Sequence, residues 1–409
     1  MSARGDDLSD GSLEHPFRTL PRAVEAVRAL RRAGNNRPAV IYLREGRHQL
    51  TETLVLGLAD GAPGPGSNRA YEGPGAGPEQ GEAYLTFAAY RGERAVISGG
   101  VPVTGWKKLE PAPPELPAAA AGKVWVASIP EGLERFSTLF DAQGRLPRAR
   151  SQGFVPTRRG DRRTLYFPPG QLRNWENLED VEIHVRPFRP WVTNMLPLAS
   201  VDEAAGIAKT AVSATYEIGP LPAWVHNPSG ASVWVENVLE ALDEPGEWVV
   251  NTRKRKVYLW PRDPAADGSP RNILAPAVVE LIRIEGKIDY DGPADTPVRG
   301  IAFSGLTFTH ADRRAWRSEE DRLGWGLQHD WEMFDRPTAM VRLRGAEDCR
   351  ITDCRFVHSG GTGIRLDLHA QRTRIEHCEF AHLGEAGILL AGYGPGTKDV
   401  NHHNTVINN

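Results

Sequence analysis

Two stretches near the end of the chain can be laid over one another. Ile351, Cys354, Phe356, His358, Gly363, Ile364 and Leu366 recur as Ile375, Cys378, Phe380, His382, Gly387, Ile388 and Leu390, each 24 residues on. No single helix or hairpin produces a period that long. Alternating apolar residues inside units of this length mark a solenoid, and the glycine breaks mark its units as short strands. The expected fold is all-β, a parallel β-helix with one coil per repeat. Phe303, Leu306, Phe308 and His310 stand 48 residues, or two coils, before Ile351, Cys354, Phe356 and His358. Asn404 and Val406 continue Cys378 and Phe380 with a slip of two residues. Leu306, Cys354, Cys378 and Asn404 are therefore expected to stack at one inward turn, about 4.8 Å apart.

The rest of the composition agrees with a turn-rich β protein. It has 42 Gly and 32 Pro in 409 residues, and its net charge is only −3. Near-neutrality gives no reason to expect nucleic acid or a membrane surface as partner. The three cysteines include two ladder positions and form no CxxC pair, so they read as buried thiols, with no metal or other cofactor expected. No apolar run approaches the roughly 18 residues of a membrane span. The first residues carry no hydrophobic signal region, which predicts a cytoplasmic protein, or a secreted one if a leader was removed. The oligomeric state is not legible.

Three regions follow in order. Residues 1–100 predict a cap and the first coils. Their helix, within 15–34, starts at Thr19 and Pro21, ends at Gly34, and closes the open end of the core. A Gly/Pro/Glu loop spans 61–81. Residues 101–275 lose the 24-residue echo and show short Trp-bearing strands between turn signals, which predicts an inserted antiparallel β-sandwich. Trp191, Trp224 and Trp234 belong to its core or line a cleft. Residues 276–409 resume the coils, interrupted by a long loop, 311–337, that carries His329, Trp331 and Glu332. Loops of this length in a compact domain are usually functional or disordered. The final residues stop in mid-coil, so further coils are expected beyond Asn409.

Alternation within the later strands sends every second residue outward. This predicts one column of Arg283, Arg342 and Arg365, and beside it a mixed column of Glu285, Arg344 and Asp367. His369 follows Asp367 on the same face, and the next coil offers Leu389, Ala391 and Tyr393. The segment 392–404 then brings Asp399, Asn401, His402 and His403 towards the edge where Asp367 emerges. Two carboxylates on neighbouring coils suit glycoside hydrolysis, one as proton donor and the other as nucleophile or base. Tryptophans suit the faces of sugar rings, and arginines and amides suit hydroxyls. Asp367 paired with Arg344, and Asp399 capping its own loop, are the plainer alternatives.

Several stretches resemble a known family. Gly5–Leu20 is similar to the opening of many bacterial right-handed β-helix carbohydrate enzymes, and Val96–Trp106 to the start of their inserted sandwich. Glu236–Trp248, Trp331–Ala339, and Gly363–His369 with Gly392–Asn404 resemble glycoside hydrolase family 141, with family 120 a more distant relative. The resemblance implies a right-handed, pectin-lyase-like solenoid. It also implies a hydrolase of plant-type polysaccharide or oligosaccharide, α-L-fucosidase- or xylanase-like. The family's two aspartates match Asp367 and Asp399 here. Arg365, His369, Trp331, Glu332, His329, Arg344, Tyr393, Asn401 and His402 are the expected substrate contacts. A polysaccharide lyase on the same fold, or a carbohydrate-binding β-helix without catalysis, are the competing readings.

Overall fold

A computed structural model describes residues 1–63, 83–225, 230–292, 294–317, the backbone of 325–326, 335–393 and 397–409. The 64–81 part of the predicted Gly/Pro/Glu loop lies outside the described residues, as do His329, Trp331 and Glu332. The protein is mostly β, and its strands in the first unit form parallel sheets. Among the described residues no helix is long and apolar enough to cross a membrane. The chain divides into two compact units: Met1–Val101, Ala275–Arg314 and Trp331–Asn409 form the first, Pro102–Leu274 and Ala315–Asp330 the second.

In the first unit a helix, Leu20–Arg32, is capped by Thr19, whose side chain accepts from the Arg22 N–H. It turns Leu20, Ala23, Val24 and Val27 into the core, and Gly34 follows its end at φ +91°. Thereafter the chain visits three parallel sheets in rotation. Arg350–Thr352, Arg355–Ser359 and Thr362–Gln371 make one pass, and Arg374–Glu376, Glu379–Leu383 and Ile388–Ala391 the next. Ile351 lies on Ile375, Phe356 on Phe380 and Ile364 on Ile388, so the 24-residue echo is the pairing register.

Aromatic stacks fill the space behind these strands. Phe308 and Phe356 have ring centroids 4.8 Å apart, and Phe356 and Phe380 5.1 Å. Cys349, Cys354 and Cys378 are free and buried in the same core. Burial pushes the Cys349 thiol up to about 12, which keeps it inert.

Each pass turns its corners with one residue in the left-handed region. Asp348 and Arg372 form one such pair, Asp353 and His377 a second, and His358 and His382 a third, all with φ between 52° and 56°. Each pair is again one repeat apart.

The last pass corrects the expected slip. Thr405–Ile407 pairs with Arg374–Glu376, so Val406 lies on Ile375, 31 residues back, and not on Phe380. The side chain of Asn409, not Asn404, accepts the N–H of Cys378 at 2.8 Å. The seven residues beyond 24 belong to the segment between Ile388–Ala391 and Asn401–His402. Loop length leaves no trace in an apolar pattern.

The second unit is antiparallel. One sheet runs Thr164–Tyr166, Ile207–Thr210, Asn194–Asp202, Glu182–Val185 and Val233–Glu236. Another contains Trp248–Asn251, Lys256–Leu259, Trp125–Ser128 and Lys107–Lys108. They contribute to one apolar cluster that includes Leu165, Ile183, Leu196, Val235 and Val249.

Candidate functional site

The strands Ile282–Glu285, Ala339–Glu347 and Thr362–Gln371 set both predicted columns in register. Arg283 lies on Arg342 and Arg342 on Arg365; Glu285 lies on Arg344 and Arg344 on Asp367. The side chains leave the apolar core, yet Arg365 and Asp367 are fully buried and Arg342 nearly so. Asp367 is saturated with donors. Its Oδ2 accepts from Arg342 Nη2 at 2.7 Å and Arg365 Nε at 2.9 Å, and its Oδ1 accepts the Asp335 N–H at 2.8 Å. The Arg336 N–H adds a bond at 3.1 Å.

Arg344, the partner in the plainer alternative for Asp367, turns to Asp335, with Nε 2.5 Å from Oδ1. Burial acts to raise the Asp335 carboxyl, but Arg344 and Arg342 hold it below the ordinary range. Asp367 is thus paired with arginines other than its register neighbour, because a guanidinium reaches past its own strand.

Further along the face, His369 is held between two carboxylates. Its Nε2 is 2.9 Å from Glu347 and its Nδ1 3.3 Å from Asp295. Glu347 also binds Arg299 and Arg372 at 2.7 and 2.8 Å. Burial opposes its ionisation, but His369 and the two arginines carry the carboxyl down to about 2. Asp295 receives the Tyr393 hydroxyl and the Lys398 ammonium, both at 2.9 Å. Burial, and then this carboxylate, raise the Tyr393 phenol above its ordinary value.

A residue absent from the sequence reading has the chemistry that reading sought. Glu385 accepts the Thr362 hydroxyl at 2.8 Å. Burial pushes its carboxyl up to about 6, against the pull of Thr362, Arg365 and Arg313. Thr338 ties this corner together: its hydroxyl accepts from Arg365 Nη1 at 3.0 Å and its carbonyl accepts the Thr362 N–H at 2.9 Å. A signal was available, since Glu385 stands where the preceding repeat has Gly361. A carboxylate in place of a glycine breaks the echo.

The remaining expected residues make contacts of their own. Asp399 is exposed. Among the described residues it shares no hydrogen-bond partner with Asp367. Asn401 donates to the Leu366 carbonyl at 3.2 Å and accepts from Asn404 at 3.0 Å. His402 and His403 bond to each other, Nδ1 to Nδ1, at 2.6 Å. In the second unit Trp191 and Trp224 are exposed, 48% and 66%, and stack with centroids 6.4 Å apart.

No family model and no curated protein matches the chain. Solved structures do. One titled "Glycoside hydrolase" superposes with a TM-score of 0.65 at 20% identity, over 94% of this chain and 73% of that one. Another, "The complex structure of XylC with xylose", gives 0.45 at 13% identity, over 96% of this chain and 51% of that one. At such identities the likeness to the first is one of fold.

Proposed function

We infer that the protein is a glycoside hydrolase acting on plant-type polysaccharide or oligosaccharide. Its first unit is read as a right-handed parallel β-helix, and its second as an antiparallel sandwich inserted in the chain. The observation that carries the reading is Glu385. A carboxyl raised to about 6 keeps a proton into the range where it can be given to a leaving oxygen. Arg365, locked by Asp367 and Thr338, sits beside it as a fixed positive charge. Asp367 takes a positioning role, because its oxygens are already filled. Asp399 is exposed but lies towards the Ala370 end of Thr362–Gln371, away from the Thr362 end where Glu385 sits, so Glu385 is proposed as the proton donor alone. The likeness of fold to a structure titled as a glycoside hydrolase supports the reading.

Reducing-sugar release from soluble plant polysaccharides tests it. Glu385→Gln is expected to lose roughly 10²–10⁴-fold. Full activity in Glu385→Gln would sink the assignment. An ultraviolet-absorbing unsaturated product would move the protein to the lyases.

A further inference from the structure

The second unit holds a cleft of about 510 Å³, formed entirely from its own residues, within the usual range for small-ligand sites. Trp175 and Tyr258, both half-buried, supply its aromatic surface. Two cations, Arg173 and Lys254, face four carboxylates, Glu115, Glu176, Glu203 and Glu240, so the lining is net acidic.

These polar groups are already oriented. The Trp175 indole N–H donates to Glu240 at 3.0 Å, which fixes the ring plane. Arg173 reaches the same carboxylate at 3.3 Å. Glu176 holds Lys254 and accepts from the Asn251 amide. A second hollow of about 190 Å³ shares Arg173, Trp175, Val238 and Glu240 with the first and is lined further by Gln152 and Gln171. Trp175 and Glu240 thus form a wall common to two adjoining spaces.

We propose that this double hollow is a non-catalytic binding site for a neutral oligosaccharide, with Trp175 as the stacking platform between consecutive sugar units. A sugar ring presents a CH face that packs on an aromatic side chain. It also presents a rim of hydroxyls, each donor and acceptor at once. Carboxylates accept, lysine and arginine donate, and amides do both, so the lining answers such a rim in every direction. The excess of carboxylates disfavours uronates, phosphates and nucleotides. Rings and carboxylates held in place before binding lose little freedom when the ligand arrives. The site rests on its own chemistry, and on the hydrolase reading only for the expectation that the ligand is also a substrate.

The test is affinity electrophoresis of the full chain through native gels containing arabinoxylan, xyloglucan or glucomannan, with polygalacturonate as the anionic comparison. It is run in the Glu385→Gln background so that the polymer survives. At least one neutral polymer should retard the protein, and polygalacturonate should not. Trp175→Ala should weaken retardation about tenfold, the scale of one aromatic contact, and Tyr258→Ala should weaken it as well. Trp175→Phe keeps a ring and should keep most of the binding, which separates lost stacking from lost folding. Retardation by no neutral polymer, stronger retardation by polygalacturonate, or an unaltered Trp175→Ala would each overturn the proposal. Binding without turnover in the wild type would sink the hydrolase reading and leave this one standing. Turnover of short substrates without retardation by any polymer would do the reverse.

Discussion

Glu385, in the bend before Ile388–Ala391, and Asp367, on Thr362–Gln371, show how two carboxylates with one arginine in common can differ. Asp367 is surrounded by guanidinium and backbone N–H groups and serves as their counter-ion. Glu385 is half-buried and receives one hydroxyl, so its proton stays on longer. The consequences differ in sign. A carboxyl near 6 in the fold and near 4.5 when unfolded is destabilising once pH exceeds both values, by at most about 2 kcal/mol. Glu385→Gln should therefore melt higher than wild type at neutral pH while losing activity. The wild-type rate should fall as pH rises past about 6, because the acid ionises; a rate that holds to pH 8 would exclude this donor. Asp367→Asn leaves two buried arginines short of a charge and should cost roughly 3–5 kcal/mol, read from urea midpoints. A stable but inactive Asp367→Asn would return Asp367 to catalysis. The sequence showed both columns, since alternation alone places Arg365 and Asp367 on one face. It did not show which arginine each aspartate would take, because side-chain reach is not periodic.

At the scale of elements, the corners were the hidden part. Turn signals were sought at glycine, yet the left-handed positions are filled by Asp348, Asp353, Arg372, His358, His377 and His382. Five of the six are Asp or His, which enter this region more readily than most residues, so the signal was present in types other than glycine; Arg372 alone gives none. His310, two coils before His358, belongs to the same set at φ 57°. Its Nδ1 lies 3.0 Å from the Ser98 hydroxyl. Burial first, and then His358 and Arg47, hold its imidazole down to about 4. The unfolded chain protonates this group near 6.5 and the fold only near 4. Its stabilising effect is thus complete above 6.5 and is lost as pH falls towards 4, by at most about 3 kcal/mol. Thermal unfolding between those two pH values should show that loss. His310→Asn, which also tolerates the left-handed region, should flatten it.

Across the molecule, the repeat fixes which strand lies on which, but near-identical coils carry a hazard. The rungs Phe308, Phe356 and Phe380 are interchangeable, as are the apolar rungs Ile364 and Ile388. Stacking energy alone would let a folding chain skip one coil and still bury its core. The column Glu285, Arg344, Asp367, Ala391 does not allow that. Omitting the Arg344 strand would set half-buried Glu285 against fully buried Asp367, and would take away Arg342, which shares that strand and neutralises Asp367. Such a pairing costs several kcal/mol where the apolar rungs would be indifferent. Arg344→Gln, which removes the charge between Glu285 and Asp367 in that column, should lower refolding yield more than it lowers the melting temperature of whatever refolds. The unlike charges act as an address written on each coil, and through them an otherwise monotonous stack counts its own strands.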